Sequence, residues 1–111
     1  MLELNHRQME ILQRLVEAGL RPIAIPPYES ALCLYRGVCA VVLAPVENDG
    51  LKVLAPASIL VDGHFAVRIR RAGGDVFVWK QAEVPATDAL LSELLAFNDD
   101  LQSALTSPPL I

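Results

Sequence analysis

The stretch Arg36-Gly37-Val38-Cys39-Ala40-Val41-Val42-Leu43-Ala44, residues 36–44, places a turn dipeptide directly before seven apolar residues that do not alternate with polar ones. A strand with one wet face alternates apolar and polar side chains, so a strand without alternation must be covered on both faces. The cover can come from helices on both faces or from a neighbouring subunit. We predict a buried strand at 38–44 and favour the subunit as the cover of its second face.

Around this strand, from Pro22 to Gln81, the sequence has a period of two and is rich in β-branched residues. Turn sequences that contain glycine recur at 36–37, 48–50, 62–63 and 73–74. Together these features predict an antiparallel meander, with Pro56 as a break or bulge. The candidate strands, which merge into five or six, are 22–26, 31–36, 38–44, 51–55, 58–62, 64–71 and 76–81.

An amphipathic helix is predicted before the meander, from about His6 to Ala18. Asn5 and Gln8 have the spacing of a capping box, and Gly19 fits the left-handed residue of a Schellman closure. The apolar half of this helix comprises Met9, Ile11, Leu12, Leu15, Val16 and Ala18. We expect this half to be buried and the opposite half to face water.

A second amphipathic helix is predicted after Pro85, with Thr87 as its cap and Leu105 near its end. Its apolar arc comprises Leu90, Leu91, Leu94, Leu95, Phe97, Leu101, Ala104 and Leu105. This arc covers about half of the circumference, more than the ~100° needed to rest on one sheet, so it invites a second contact. Asn98 lies inside the arc and could fix the register of a helix pair, although a place at the patch margin is more usual for such an amide.

These elements predict an α+β fold: an N-terminal amphipathic helix, a five- to six-stranded antiparallel meander and a C-terminal amphipathic helix, with both helices mainly on one sheet face. We expect one domain over 1–105. Residues 106–111, which contain Pro108-Pro109, are predicted to be a flexible tail.

The bulk composition favours association with another protein. The chain has 111 residues, of which 53% are hydrophobic, and its mean hydropathy is +0.40. A domain of this size exposes roughly a third of its unfolded-state surface, so the surplus apolar residues should form a surface patch. The simplest partner to cover such a patch is a second copy of the chain, and we therefore expect a homodimer.

Other partners and locations are disfavoured by charge and by run length. A net charge of −4 opposes general binding to nucleic acid. The longest apolar run, Val38 to Val46, is far shorter than the roughly 20 residues of a spanning helix. Charged residues interrupt the first eleven residues, so neither export nor a membrane location is predicted, and a cytoplasmic protein is expected.

Few residues suggest catalysis, and no cofactor or metal is expected. Cys33 and Cys39 lack the spacing of zinc or redox motifs and are predicted to be buried, reduced thiols. If Arg36-Gly37 is a two-residue loop, the two cysteines lie on opposite sheet faces, whereas a three-residue loop would make them neighbours. His64 follows Asp62 and could act as a general base, but an exposed turn histidine is the favoured interpretation.

The hairpin 64–80 carries an unusual mixture of arginine and aromatic residues, namely Arg68, Arg70, Arg71, Phe77 and Trp79. With a two-residue turn, Arg70 opposes Phe77 and Arg68 opposes Trp79, which would form a binding platform. With a three-residue turn, both aromatic rings join Phe65, Val67 and Ile69 in the core and the arginines face solvent. We favour the core interpretation.

Beyond Lys80 the chain has five acidic residues and neither lysine nor arginine. This acidic C-terminal part is predicted to complement the Arg68–Arg71 strand, within one chain or across a two-fold axis. The predicted interaction surface comprises Arg68, Arg70, Arg71, Leu91, Leu95 and Asn98.

The sequence supports three functional hypotheses. The leading one is a small, non-enzymatic module that self-associates and acts through protein–protein interaction. The second is a small-molecule sensor with a pocket bordered by Tyr28, Tyr35 and Trp79. The third is an enzyme that uses carboxylates with His64, for which no activated constellation is visible.

Overall fold

The computed structural model describes residues 3–47 and 49–106. Its elements are α1 His6–Glu17, β1 Arg21–Pro22, β2 Leu32–Arg36, β3 Cys39–Pro45, β4 Leu51–Val61, β5 His64–Phe65, β6 Val67–Arg71, β7 Gly74–Trp79, β8 Ala82–Pro85 and α2 Asp88–Leu105. The α+β class with a helix at each end is confirmed. The predicted tail lies outside the described residues except for Thr106, which caps α2.

The strands form two antiparallel sheets, one in the order β1-β2-β3-β4-β5 and one in the order β6-β7-β8. The prediction of five or six strands is therefore wrong, although the antiparallel pairing is confirmed. Ala66 divides the predicted strand 64–71, because its N–H donates to the carbonyl of Ile59 at 3.0 Å while the next residue begins β6. Pro56 lies inside β4, at one of two register shifts where β4 has one residue more than β3.

The central strand β3 is buried on both faces, as predicted, from Cys39 to Leu43. One face packs against both helices, which confirms that α1 and α2 share one side of the sheet. The fully buried residues of this cluster are Ile11, Leu15, Leu20, Leu34, Cys39, Val41, Leu43, Phe97 and Leu101.

The other face of β3 is covered by the chain itself, so the expected neighbouring subunit is wrong at this position. Ala40 and Val42 lie in a second buried cluster with Ile25 and Cys33. The cover is the irregular segment 23–31 together with Phe65 of β5. This segment folds back over the sheet, and the N–H of Ile23 donates to the carbonyl of Cys33 at 3.0 Å.

Both predicted ends of α1 are confirmed. The Asn5 side chain accepts the N–H of Gln8 and the Gln8 side chain accepts the N–H of Asn5, each at 2.8 Å. At the other end Gly19 has a φ of +97°, which is the left-handed region that glycine enters readily. The N–H of Leu20 then reaches the carbonyl of Leu15 at 3.0 Å, which is the bond of a Schellman motif.

The buried face of α1 differs from the predicted one. Met9 and Val16 are 50% and 37% exposed, whereas Gln8 is only 3% exposed. The cause is the β3–β4 turn beside the helix, because Gln8 Nε2 donates to the carbonyls of Val46 at 2.9 Å and Gly50 at 3.2 Å. These hydrogen bonds turn Gln8 toward the protein interior. The buried face of α1 is therefore rotated away from the apolar half of the helix that the sequence predicts to be buried.

The helix α2 begins as predicted, with the Thr87 hydroxyl accepting the N–H of Leu90 at 3.2 Å. Arg36 of β2 forms an ion pair with α2, because its Nη1 lies 2.7 Å from Asp100 Oδ2. The same Nη1 donates to the carbonyl of Ala18 at 2.9 Å. The Arg36 guanidinium also lies 5.6 Å from the centre of the Phe97 ring. Of the described helices, neither is both long and apolar enough to cross a membrane.

Candidate functional site

A surface groove lies between α2, β4 and β6, and we call it the α2 groove. Its volume is about 530 Å³. Its lining residues are Pro56, Ala57, Arg68, Leu91, Leu94, Leu95 and Asn98. Four of the predicted interaction residues meet here, namely Arg68, Leu91, Leu95 and Asn98, whereas Arg70 and Arg71 do not line the groove.

The groove forms because the chain leaves the larger sheet after β5. β5 pairs with β4 only at Leu60 and Val61, and β6 then pairs with β7 instead. The Ser58 hydroxyl of β4 donates to the carbonyl of Ala66, the residue before β6, at 3.0 Å. This hydrogen bond holds β4 and the start of β6 together at the narrow end of the groove. Beyond this point Pro56 and Ala57 of β4 face Arg68 of β6 across the groove rather than across a strand ladder.

The apolar wall of the groove belongs to α2. Leu91 and Leu94 are half-buried and pack against the cluster of Phe77, while Leu95 projects outward and is 63% exposed. Asn98 is exposed beside them, at the margin of the patch. The expected extra width of the apolar arc is therefore real, and the residue left outside the fold is Leu95.

Arg68 is held at the rim of the groove by an aspartate that sequence reasoning missed. Its Nε and Nη2 lie 2.8 Å and 2.7 Å from Asp75 Oδ2 on the neighbouring strand. Arg70 lies 3.6 Å from the same carboxylate and its side chain is 89% exposed, while Arg71 pairs with Glu83 at 2.6 Å. Within the chain these arginines therefore bind carboxylates of their own sheet, so the predicted pairing with α2 inside one chain is wrong, and the alternative across a two-fold axis stays a prediction.

The chain matches no protein-family model, no curated protein and no solved structure.

The register of the β6–β7 hairpin differs from both predicted registers. The loop is 72–73, so Arg68 opposes Phe77 and Arg70 opposes Asp75. Phe77 is buried and Trp79 packs against the same cluster, so both rings belong to the core as predicted, but Phe65 lies in another cluster and Val67 is exposed rather than joining them. Arg68 and Arg70 nevertheless share the face of Phe77, whereas Arg71 and Val67, which is 62% exposed, lie on the other face.

The three aromatic residues of the hypothetical sensor pocket are not brought together. Tyr28 and Tyr35 pack on the second face of β3, where the Tyr28 ring meets Phe65 edge-on with centroids 6.0 Å apart. Trp79 lies in a different cluster and stacks on His64. No joint pocket of these three rings exists in the described part of the chain.

The two cysteines lie on opposite faces of the sheet, as the two-residue loop predicts, although the loop is Gly37-Val38. Both thiols are free and buried. Burial raises the pKa of Cys39 to about 11, and the carboxylate of Glu93 adds to this rise. Burial also raises the pKa of Cys33, whose Sγ lies 3.3 Å from the carbonyl of Tyr28 and donates to it.

This pKa shift predicts a loss of stability in alkali. The raised pKa of folded Cys39 means that its contribution is complete below the ordinary thiol value of 9.0 and is lost as the pH rises from there through about 11. The free energy of unfolding should therefore fall more steeply between pH 9 and pH 11 in the wild type than in Cys39→Ala. Equal slopes in chemical denaturation would contradict this assignment.

Metal chemistry finds little support in the described residues, 3–47 and 49–106. They contain no cluster of three or more His, Cys, Asp or Glu side chains placed to hold an ion. His64, the candidate general base, lies parallel to the Trp79 ring with centroids 4.2 Å apart. Among the described residues the α2 groove combines an apolar wall with the exposed Leu95, and it is therefore the candidate site.

Proposed function

We propose that this chain is a small cytoplasmic, non-enzymatic protein that associates with a second copy of itself through the α2 groove and acts as a protein-interaction module. The observation that carries the proposal is the exposure of Leu95 beside the half-buried wall of Leu91 and Leu94. A leucine in this position gains hydrophobic free energy only when another surface covers it.

The shape of the patch favours a second copy as the occupant. A two-fold contact uses the same patch on both subunits, so the patch must contain both a projection and a recess. Leu95 is the projection, and the space between Leu91, Leu94 and Arg68 is the recess. The Leu95 side chain of each copy can then enter the groove of the other.

The charges of the patch are also self-complementary. α2 contains four acidic residues and no basic one, and only Asp100 among them has an ion-pair partner in the described part of the chain. The opposite wall carries Arg68, which shares the single carboxylate of Asp75 with Arg70 of the same strand. When two copies meet through α2, Arg68 of each faces the acidic helix of the other, which fixes register more than it adds affinity.

The reduced thiols fit a cytoplasmic location, since disulfides form mainly in oxidising compartments. The non-enzymatic part of the proposal rests on His64. Its ring is engaged with Trp79, and neither serine, threonine nor cysteine lines the cavity beside it among the described residues.

The experiment that tests the proposal is sedimentation of the wild type and Leu95→Glu over a range of concentrations. The wild type should approach twice its monomer mass of 12.1 kDa, whereas the variant should associate at least about tenfold more weakly, because a carboxylate would be buried in the contact. Met9→Glu is the matched control, since Met9 is an exposed apolar residue of the other helix. A monomeric wild type, or equal loss of association in both variants, would contradict the proposal.

A further inference from the structure

Two hairpin turns that belong to different sheets lie side by side. They share no lining residue with the α2 groove. One is Asp62-Gly63 between β4 and β5, and the other is Lys80-Gln81 between β7 and β8. A cavity of about 520 Å³ opens between them, and we call it the turn site. Its lining residues are Asp62, His64, Trp79, Lys80, Gln81 and Ala82.

The two turns are joined by an aromatic stack. The His64 and Trp79 rings are nearly parallel, with an angle of 12° and centroids 4.2 Å apart. The Lys80 ammonium lies 5.5 Å from the centre of the Trp79 ring. Trp79 therefore provides a flat apolar wall next to a positive charge, and the stack fixes this wall relative to Asp62 on the other turn.

The two charged residues of the turn site have opposite sign and remain open to a ligand. In the described part of the chain neither Asp62 nor Lys80 forms an ion pair, with the other or with any third residue. The arginines of the same hairpin behave differently, since Arg68 and Arg71 are both paired with carboxylates. One open cation and one open anion thus face the same cavity.

The backbone of these two residues is also unusual. Asp62 and Lys80 have φ values of +52° and +53°, and they are the non-glycine residues with positive φ among those described. Aspartate before glycine is a common solution for such a turn, but a lysine in the left-handed region costs free energy that glycine or asparagine would avoid. Strained residues of this kind concentrate at functional sites. The turn itself therefore does not favour lysine at this position, where the side chain lines the turn site.

We propose that the turn site binds a small zwitterion of the α-amino acid class. The carboxylate of the ligand pairs with Lys80 and accepts from the amide of Gln81, its ammonium pairs with Asp62, and its side chain lies along Trp79. The site holds one positive and one negative group, so a simple anion or a simple cation would satisfy one of them and be repelled by the other. This inference goes beyond self-association and does not depend on it, because the two surfaces share no lining residue.

The single tryptophan of the chain makes the test specific, because fluorescence excited at wavelengths that tyrosine does not absorb reports on Trp79 alone. Three matched probes, which absorb no light in this range, are titrated at constant pH and ionic strength: L-norleucine, hexanoate, which lacks its amino group, and pentylamine, which lacks its carboxylate. L-norleucine should change the Trp79 emission saturably, with an affinity at least about tenfold higher than that of either single-charge probe.

The variants are chosen so that they fold. Lys80→Asn and Asp62→Asn place in the left-handed region a residue that tolerates it, so both should melt at or above the wild-type temperature while losing at least about tenfold in affinity for L-norleucine. Lys52→Asn, which removes the other lysine of the chain, should bind as the wild type does. The proposal is overturned if L-norleucine produces no saturable change, if hexanoate or pentylamine binds as tightly, or if either turn variant keeps full affinity.

Discussion

Phe97→Ala should lower the free energy of unfolding by about 3–5 kcal/mol, the range for removing a fully buried phenylalanine. Phe97 is completely buried between α2 and the helix-facing side of β3, and its ring also lies under the Arg36 guanidinium. Its loss leaves a cavity where α1, α2 and the sheet meet. Urea denaturation followed by circular dichroism measures the change.

Leu95→Ala, two residues away on the same helix, is the matched control for this prediction. Because Leu95 is exposed in the monomer, its truncation should change the unfolding free energy by no more than about 0.5 kcal/mol when measured on dilute, unassociated protein. Phe97→Leu should retain most of the stability, since it keeps an apolar side chain in the same place. A Phe97→Ala variant as stable as Leu95→Ala would mean that α2 does not pack as described.

Gln8→Ala is expected to have the second largest effect, a loss of about 2–3 kcal/mol in unfolding free energy. The side chain of Gln8 accepts the N–H of Asn5 and donates to the carbonyls of Val46 and Gly50, and each such bond contributes about 1 kcal/mol net. Both carbonyls keep a backbone partner in the turn, which limits the cost. The same change removes two of the hydrogen bonds that join α1 and its cap to the β3–β4 turn.

Gln13→Ala provides the control, because Gln13 is an exposed residue near the middle of the same helix. Alanine at that position should be neutral or slightly stabilising. Thermal and urea unfolding of both variants separates the cross-link from helix propensity. If Gln8→Ala had the same free energy of unfolding as Gln13→Ala, the hydrogen bonds of Gln8 would not stabilise the fold. The rotation of the buried face of α1 would then need another cause.

The helix ends were predictable because they depend on residues close together in sequence. Asn5 with Gln8, and Gly19 with Leu20, satisfy backbone groups of the same few turns, so their spacing alone identifies them. The same is true of Thr87 at α2. By contrast, the rotation of α1 depends on the carbonyls of Val46 and Gly50, which lie 38 and 42 residues from Gln8. No local pattern contains this information.

Only part of how the two faces of β3 are covered could be predicted from the sequence. The lack of alternation shows that both faces are buried, but it does not reveal what buries them. The covering segment 23–31 has two prolines and no period, so its apolar residues Ile25 and Tyr28 carry no helical or strand pattern. The surplus apolar residues assigned to a subunit contact at β3 are therefore used inside the chain, and the exposed remainder lies elsewhere.

The interaction site was predicted in part for a similar reason. The excess width of the α2 arc identified Leu91, Leu95 and Asn98, because an amphipathic helix displays its surplus in its own sequence. The positions of the arginines depend on hairpin register, where a small shift changes every cross-strand partner. The actual register gives Arg68 the carboxylate of Asp75 and leaves only Arg68 at the groove.

Exposed apolar residues of this chain lie at the α2 groove, and the proposed dimer covers them there with a second copy. Hydrogen–deuterium exchange at protein concentrations below and above the association midpoint tests both the existence and the place of that contact. Exchange should be slower at high concentration for residues 91–98 of α2 and for β6. The residues of β3 should be equally protected at both concentrations. Protection that does not change with concentration in α2, or that rises in β3 instead, would contradict the proposed dimer.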